Sequence, residues 1–68
     1  MTPAEARVKL IVHAATQAFG DGLRAAEWLA AANAALEGRR PIRSVRERPE
    51  DYRTVLRLLA RRRSASDN

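Results

Sequence analysis

The sequence predicts an all-α fold, a small bundle of three main helices plus one short helical turn. Apolar residues recur at the three- and four-residue spacing of helix faces along most of the chain. No segment alternates apolar and polar residues as a half-buried strand does. Aromatic residues make up only 4% of the 68 residues and much of the apolar content is alanine, which favours closely packed helices over a sheet.

The first helix is predicted to run to about Phe19. Thr2 stands in the N-cap position, Pro3 at the first helical position and Glu5 in the register of a capping box. Gly20 can adopt the left-handed conformation that closes a helix. One face of this helix is predicted to be covered by the bundle, and it consists of Val8, Ile11, Val12, Ala15 and Phe19, widened by Leu10 and Ala14.

The second helix is predicted to begin after Asp21, whose carboxylate can cap it, and to be the segment around which the bundle packs. Gly38 and Pro41 are predicted to mark its end, and Asn33 is predicted to be a weak interruption where the helix bends or restarts. Its apolar face is predicted to contain Ala25, Trp28, Leu29, Ala32 and Leu36. Trp28 is therefore predicted to be a core residue rather than a contact for a partner.

The rest of the chain is predicted to form a linker over residues 38–41, a short helical turn around Ile42, Ser44 and Val45, and a final helix. A charged loop precedes that helix, with Pro49 near its first position. The apolar face of the final helix is predicted to consist of Tyr52, Val55, Leu56 and Leu59. We expect one domain over residues 1–63 and a frayed C-terminal tail over residues 64–68.

Positive charge is concentrated in the second half of the chain. Residues 39–68 hold ten arginines and four carboxylates, a net charge of +6, whereas residues 1–38 carry a net charge of −1. Arginine suits bidentate pairing with carboxylates and phosphates, so this half is predicted to meet an acidic partner. The candidate partner-binding residues are Arg39, Arg40, Arg43, Arg53, Arg57, Arg61, Arg62 and Arg63.

Catalysis is not predicted, because the sequence shows no pairing of nucleophile and base, no metal-ligand spacing and no Gly-rich cofactor loop. No cofactor and no metal are expected. His13 is alone and is predicted to be exposed. Glu47, Glu50 and Asp51 lie among arginines, so we expect ion pairing and helix capping rather than acid–base catalysis.

The size and hydropathy of the chain limit its surroundings. The chain has no cysteine, no signal-peptide pattern and no apolar run of about 20 residues, so a cytoplasmic protein without membrane contact is expected. A chain of about 60 residues buries only a thin core, which favours completion by a protein partner or by a second copy in a homo-oligomer.

A set of residues with a characteristic order and spacing begins near the end of the first helix and reaches into the last one. We call them the signature residues: Ala18, Phe19, Gly20, Asp21, Ala25 or Ala26, Trp28, Leu29, Asn33, Leu36, Gly38, Pro41, Ile42, Val55 and Leu58 or Leu59. With these residues, about residues 14–62 of the chain resemble the toxin-binding domain of Xre/MbcA/ParS-like antitoxins.

The resemblance implies a non-catalytic antitoxin that binds a RES-domain toxin, an enzyme that consumes NAD, and occludes its active-site cleft. This sequence departs from the family pattern in three ways. Ala32 replaces the proline that commonly precedes Asn33, which predicts a weaker break there. Arg61, Arg62 and Arg63 stand where a glycine often follows the last helix. Few residues precede Gly20, so the N-terminal helix-turn-helix of relatives, and DNA binding in their manner, are not expected.

Two other functions remain open at this stage. One is a small adaptor or assembly protein that keeps the domain without a toxin. The other is a nucleic-acid-binding protein that uses the Arg-rich half, although no helix-turn-helix, zinc finger or stacking aromatic supports base recognition.

Overall fold

A computed structural model describes residues 2–66. It contains α1 (Pro3–Phe19), α2 (Gly22–Ala30), a 3-10 turn (Ala34–Leu36), α3 (Pro41–Glu47) and α4 (Asp51–Ser66). The all-α class is confirmed. The described residues form no strand, and an isolated bridge joins Asn33 to Arg39. The segment predicted as one short turn is α3, a helix of seven residues.

Both ends of α1 lie where the sequence predicts them. The Thr2 hydroxyl accepts a hydrogen bond from the backbone N–H of Glu5 at 3.1 Å, and Gly20 follows the helix with φ +69°. The predicted covered face was too wide, because Leu10 is 56% exposed and Val12 is 39% exposed. The buried Ile11 faces the bundle, and each of its chain neighbours is rotated by about 100° to one side of it.

Helix α2 is shorter than predicted. Asp21 caps it by accepting a hydrogen bond from the N–H of Leu23 at 2.9 Å, but the helix ends at Ala30 rather than near Gly38. The interruption at Asn33 is confirmed, and it is a full break. Its side chain accepts from the N–H of Ala35 at 2.9 Å and its own N–H donates to the carbonyl of Arg39 at 3.1 Å. An asparagine side chain that bonds the backbone in this way competes with the helix, even without a preceding proline.

Helices α3 and α4 follow after tight turns. Pro41 is the first residue of α3, and α4 begins at Asp51, two residues after Pro49. The backbone of α4 continues to Ser66. Asp67 and Asn68 lie outside the described residues, so the frayed tail over residues 64–68 stays a prediction. Within residues 2–66, no helix combines the length and the hydropathy that crossing a bilayer requires.

The core lies where α1 packs against α2, α3 and α4, so the bundle packs around α1 and not, as predicted, around the second helix. Among the side chains that the structure describes, eight hydrophobic ones are buried there, namely Ile11, Ala15, Ala25, Leu29, Leu36, Val45, Val55 and Leu59. Trp28 packs against the edge of this core and is half-buried. Its indole ring lies 6.0 Å from the ring of Phe19 and is tilted by 49°. The pair closes the end of the bundle where α1 passes into α2.

Candidate partner-binding surface

One face of α4 is exposed and positively charged. Arg53, Arg57 and Arg61 recur every fourth residue on the side of the helix opposite to the buried Val55 and Leu59. Among the described side chains none of the three arginines has an ion-pair partner. We call these three residues the α4-arginine face. Between Asp51 and Ser66 the helix contains no other carboxylate, so no acidic side chain of α4 offsets this charge.

An open groove adjoins the α4-arginine face. Thr54 and Leu58 form its floor on α4, Ala35 of the 3-10 turn forms the opposite wall, and Arg57 and Arg61 border it. Both floor side chains are half-buried. The surface therefore combines apolar contact area with cationic groups at its margin.

A second group of arginines lies around α3, and two of them, Arg39 and Arg43, form ion pairs. Arg40 and Arg43 line a shallow pocket together with Gly38 and Glu47. The Arg43 Nε donates to a carboxylate oxygen of Glu47 at 2.8 Å, and this hydrogen bond, with the charge of Glu47, raises the pKa of Arg43 above its ordinary value. The expected ion pairing of Glu47 is thus confirmed.

Arg39 is part of the fold rather than of the outer surface. Its guanidinium Nη2 lies 3.2 Å from Asp51 Oδ2, and its Nε lies 3.4 Å from the hydroxyl oxygen of Ser44. Ser44, which is buried, donates a hydrogen bond to the same carboxylate oxygen. The expected pairing of Asp51 with an arginine is confirmed. Contact of Arg39 with a partner stays a prediction, and its guanidinium already joins the linker to the start of α4.

Arg62 connects α4 to the end of α1. Its guanidinium carbon lies 4.2 Å from the centre of the Phe19 ring, within the range of a cation–π interaction. Because Phe19 also packs on Trp28, the contact ties α4 to the aromatic pair that closes the bundle. The side chain of Arg63 lies outside the described residues, so its contact with a partner stays a prediction.

Arg7 is a residue with a clear structural role that the sequence reasoning missed. Its Nε donates to the carbonyl of Val45 at 2.8 Å and its Nη2 donates to the carbonyl of Arg46 at 3.1 Å. These carbonyls belong to the last turn of α3, where helical partners are lacking. The sequence could have indicated this role, because Arg7 lies one turn before Ile11 on the apolar side of α1, where a charged side chain needs polar partners.

The signature residues of the central segment are caps, turns and core residues. Asp21 and Asn33 cap a helix and a turn, and Gly20 and Gly38 have positive φ. Leu29, Leu36, Pro41, Val55 and Leu59 are buried, while Phe19 and Trp28 are half-buried. The signature therefore describes how the domain folds, and the exposed arginines are a separate property of this chain.

His13 and the carboxylates are the remaining side chains that could bind a metal ion. His13 is exposed, as predicted, at the margin of a shallow groove between α1 and α4. Within residues 2–66 no three His, Asp or Glu side chains lie together in a way that could hold a metal ion.

Comparison with protein-family models matches residues 14–64 to the family described as the antitoxin Xre/MbcA/ParS C-terminal toxin-binding domain. The matched range begins within α1 and includes α2, the 3-10 turn, α3 and most of α4. No curated protein and no solved structure matches the chain significantly.

Proposed function

The chain belongs to the family of antitoxin Xre/MbcA/ParS C-terminal toxin-binding domains, and from this membership we propose that it neutralises a RES-domain, NAD-consuming toxin by covering the toxin's active-site cleft. The family role is binding of a toxin, which makes the partner a protein. The RES class of that toxin and the occlusion of its cleft are our proposal.

The α4-arginine face is the observation that carries the proposed mode of binding. Three exposed cations without an ion-pair partner among the described side chains lie on one helix, beside a groove with a partly apolar floor. An acidic cleft is the surface that such a face fits, because the charges attract and the apolar floor can be desolvated on contact. Occlusion then needs no chemistry from this chain.

The fold supports this mode of binding by holding α4 at both ends. The Arg39–Asp51 pair fixes the beginning of the helix, and the contact between Arg62 and Phe19 fixes its last part. A helix fixed in this way loses little conformational entropy when it binds, which favours a tight complex. In the proposal, the α4-arginine face lies in the cleft, and Arg40 and Arg43 contact its rim.

Co-expression tests this proposal. The chain is produced together with the product of the adjacent open reading frame, in a host whose growth and NAD content report toxin activity. We expect a complex to co-purify and both growth and NAD to recover. Absence of a complex, or a partner that does not consume NAD, would contradict the proposal. If a complex forms but NAD is still consumed, the result would favour the adaptor function over neutralisation.

A matched pair of double variants tests the binding face. Arg57→Gln with Arg61→Gln removes two charges from the α4-arginine face, and Lys9→Gln with Arg24→Gln removes two exposed charges from α1 and α2. We expect the first pair to weaken the complex at least about tenfold, because paired charges at interfaces are costly to truncate, and the second pair to leave it nearly unchanged. Equal effects of the two pairs would place the contact elsewhere.

A further inference from the structure

We propose that the α4-arginine face also binds the phosphate backbone of duplex DNA, without reading the bases. The sequence has a net charge of +5 and a pI of about 11.3, and its second half holds ten arginines. A strongly basic domain whose cations cluster along one helix has the electrostatic footprint of a nucleic-acid-binding protein. This activity goes beyond toxin binding and does not depend on it.

The spacing of the three arginines fits a row of phosphates. Arg53 and Arg61 are separated by eight residues on α4, about 12 Å along the helix axis, a length over which one DNA strand presents about three to four phosphates. Arg57 lies midway between them on the same face. Each planar guanidinium can bind a phosphate through two parallel N–H groups.

The electrostatics favour this face over Arg39 and Arg43, the two ion-paired arginines near α3. Glu47 neutralises Arg43, and Asp51 and Glu37 both lie within ion-pair distance of Arg39. Among the described side chains, no ion pair involves Arg53, Arg57 or Arg61, so their charge is available to phosphates. Binding would release counterions condensed on the DNA, which makes affinity fall as salt rises.

The aromatic residues favour duplex over single-stranded nucleic acid. Proteins that hold single strands without sequence preference stack bases on exposed aromatic side chains. Here Phe19 lies between Arg62 and Trp28, and Tyr52 packs against the core. None of the three aromatic side chains lies on the α4-arginine face, so the ligand is recognised through its backbone alone.

Fluorescence anisotropy with the whole chain and two labelled duplexes of unrelated sequence tests the proposal. In low salt we expect both duplexes to bind with affinities within about twofold, and log K to fall with log salt at a slope of about −2.7 for three phosphate contacts. The double variant Arg57→Gln with Arg61→Gln should reduce that slope to about −0.9. The assay contains no toxin, so its result is independent of the proposed neutralisation.

Four results would overturn the inference. One is unchanged anisotropy in low salt, with helix content verified by circular dichroism. Another is an equal loss of binding in the control Lys9→Gln with Arg24→Gln, which would show that net charge alone matters. The third is competition by polyglutamate as strong as by unlabelled duplex, which would assign the face to acidic polypeptides. Tighter binding to a single strand than to the duplex would overturn the choice of duplex.

Discussion

The guanidinium Nη2 of Arg39 lies 3.2 Å from Oδ2 of Asp51, across twelve residues of sequence. The same carboxylate oxygen accepts a hydrogen bond from the buried hydroxyl of Ser44 on α3. One oxygen atom therefore joins the linker, α3 and the first turn of α4. Because α4 carries the exposed arginines, the direction in which they point depends on this junction.

Replacing Asp51 by Asn tests the junction. The variant keeps the shape of the side chain but leaves the half-buried guanidinium of Arg39 with the exposed carboxylate of Glu37 in place of its closer, buried partner. We expect the free energy of unfolding to fall by about 2 kcal/mol, as measured by urea titration followed by circular dichroism. Glu50→Gln is the matched control, because Glu50 is the exposed neighbour and should change stability by less than about 0.5 kcal/mol. Equal losses in the two variants would refute the structural role of Asp51.

Arg7 provides a second test of how the helices are joined. Its two hydrogen bonds satisfy carbonyls at the end of α3, and glutamine at this position is too short to satisfy both. We expect Arg7→Gln to destabilise the protein by about 1–2 kcal/mol in thermal or urea unfolding, because the side chain is half-buried and its acceptors lose their donors. Lys9→Gln, at an exposed position two residues along α1, should have almost no effect. If Arg7→Gln leaves the free energy of unfolding unchanged, water satisfies the two carbonyls as well as the arginine does.

Local chemistry made the helix ends predictable. Thr2, Gly20 and Asp21 each act within four residues of their own position, so their roles can be predicted without knowing the fold. The end of α2 was mispredicted because apolar spacing continues across a break. Leu36 returns to the core on a separate 3-10 turn, and periodicity alone does not distinguish that from a continuous helix.

The candidate surface could be predicted only in part. The sequence gives the positions of the charged residues, whereas ion pairs between residues distant in sequence depend on the fold. The sequence grouped Arg39 with Arg40 as basic residues of one segment. Only the fold brings Asp51 to Arg39, and only the fold places Phe19 under Arg62, more than forty residues away. The exposed row on α4 was predictable from its four-residue spacing, since it depends on one helix alone.

Gly20 and Gly22, two residues apart, allow a test of backbone conformation. Gly20 has φ +69°, whereas Gly22 lies in α2, and an added Cβ would meet no other atom within 4 Å at either site. Alanine at position 20 should therefore cost about 1 kcal/mol through left-handed strain alone. Alanine at position 22 should instead stabilise the helix by about 0.5 kcal/mol, because the unfolded chain loses freedom. Thermal unfolding of the two variants should shift in opposite directions, and shifts of the same sign would contradict the positive φ.

Leu36 tests whether the 3-10 turn is anchored by its side chain. This residue is 1% exposed although it lies outside the four α-helices, and it belongs to the same buried cluster as Leu29 and Val55. We expect Leu36→Ala to reduce the free energy of unfolding by about 2–4 kcal/mol, because the cavity would lie at the centre of a small core. Leu23→Ala is the control: Leu23 is 69% exposed, so the same substitution should cost at most about 0.5 kcal/mol. Urea unfolding followed by Trp28 fluorescence and by circular dichroism measures both. A loss in Leu36→Ala as small as in Leu23→Ala would show that the turn does not hold the core together, and the groove beside α4, of which Ala35 forms one wall, would then lack a fixed shape.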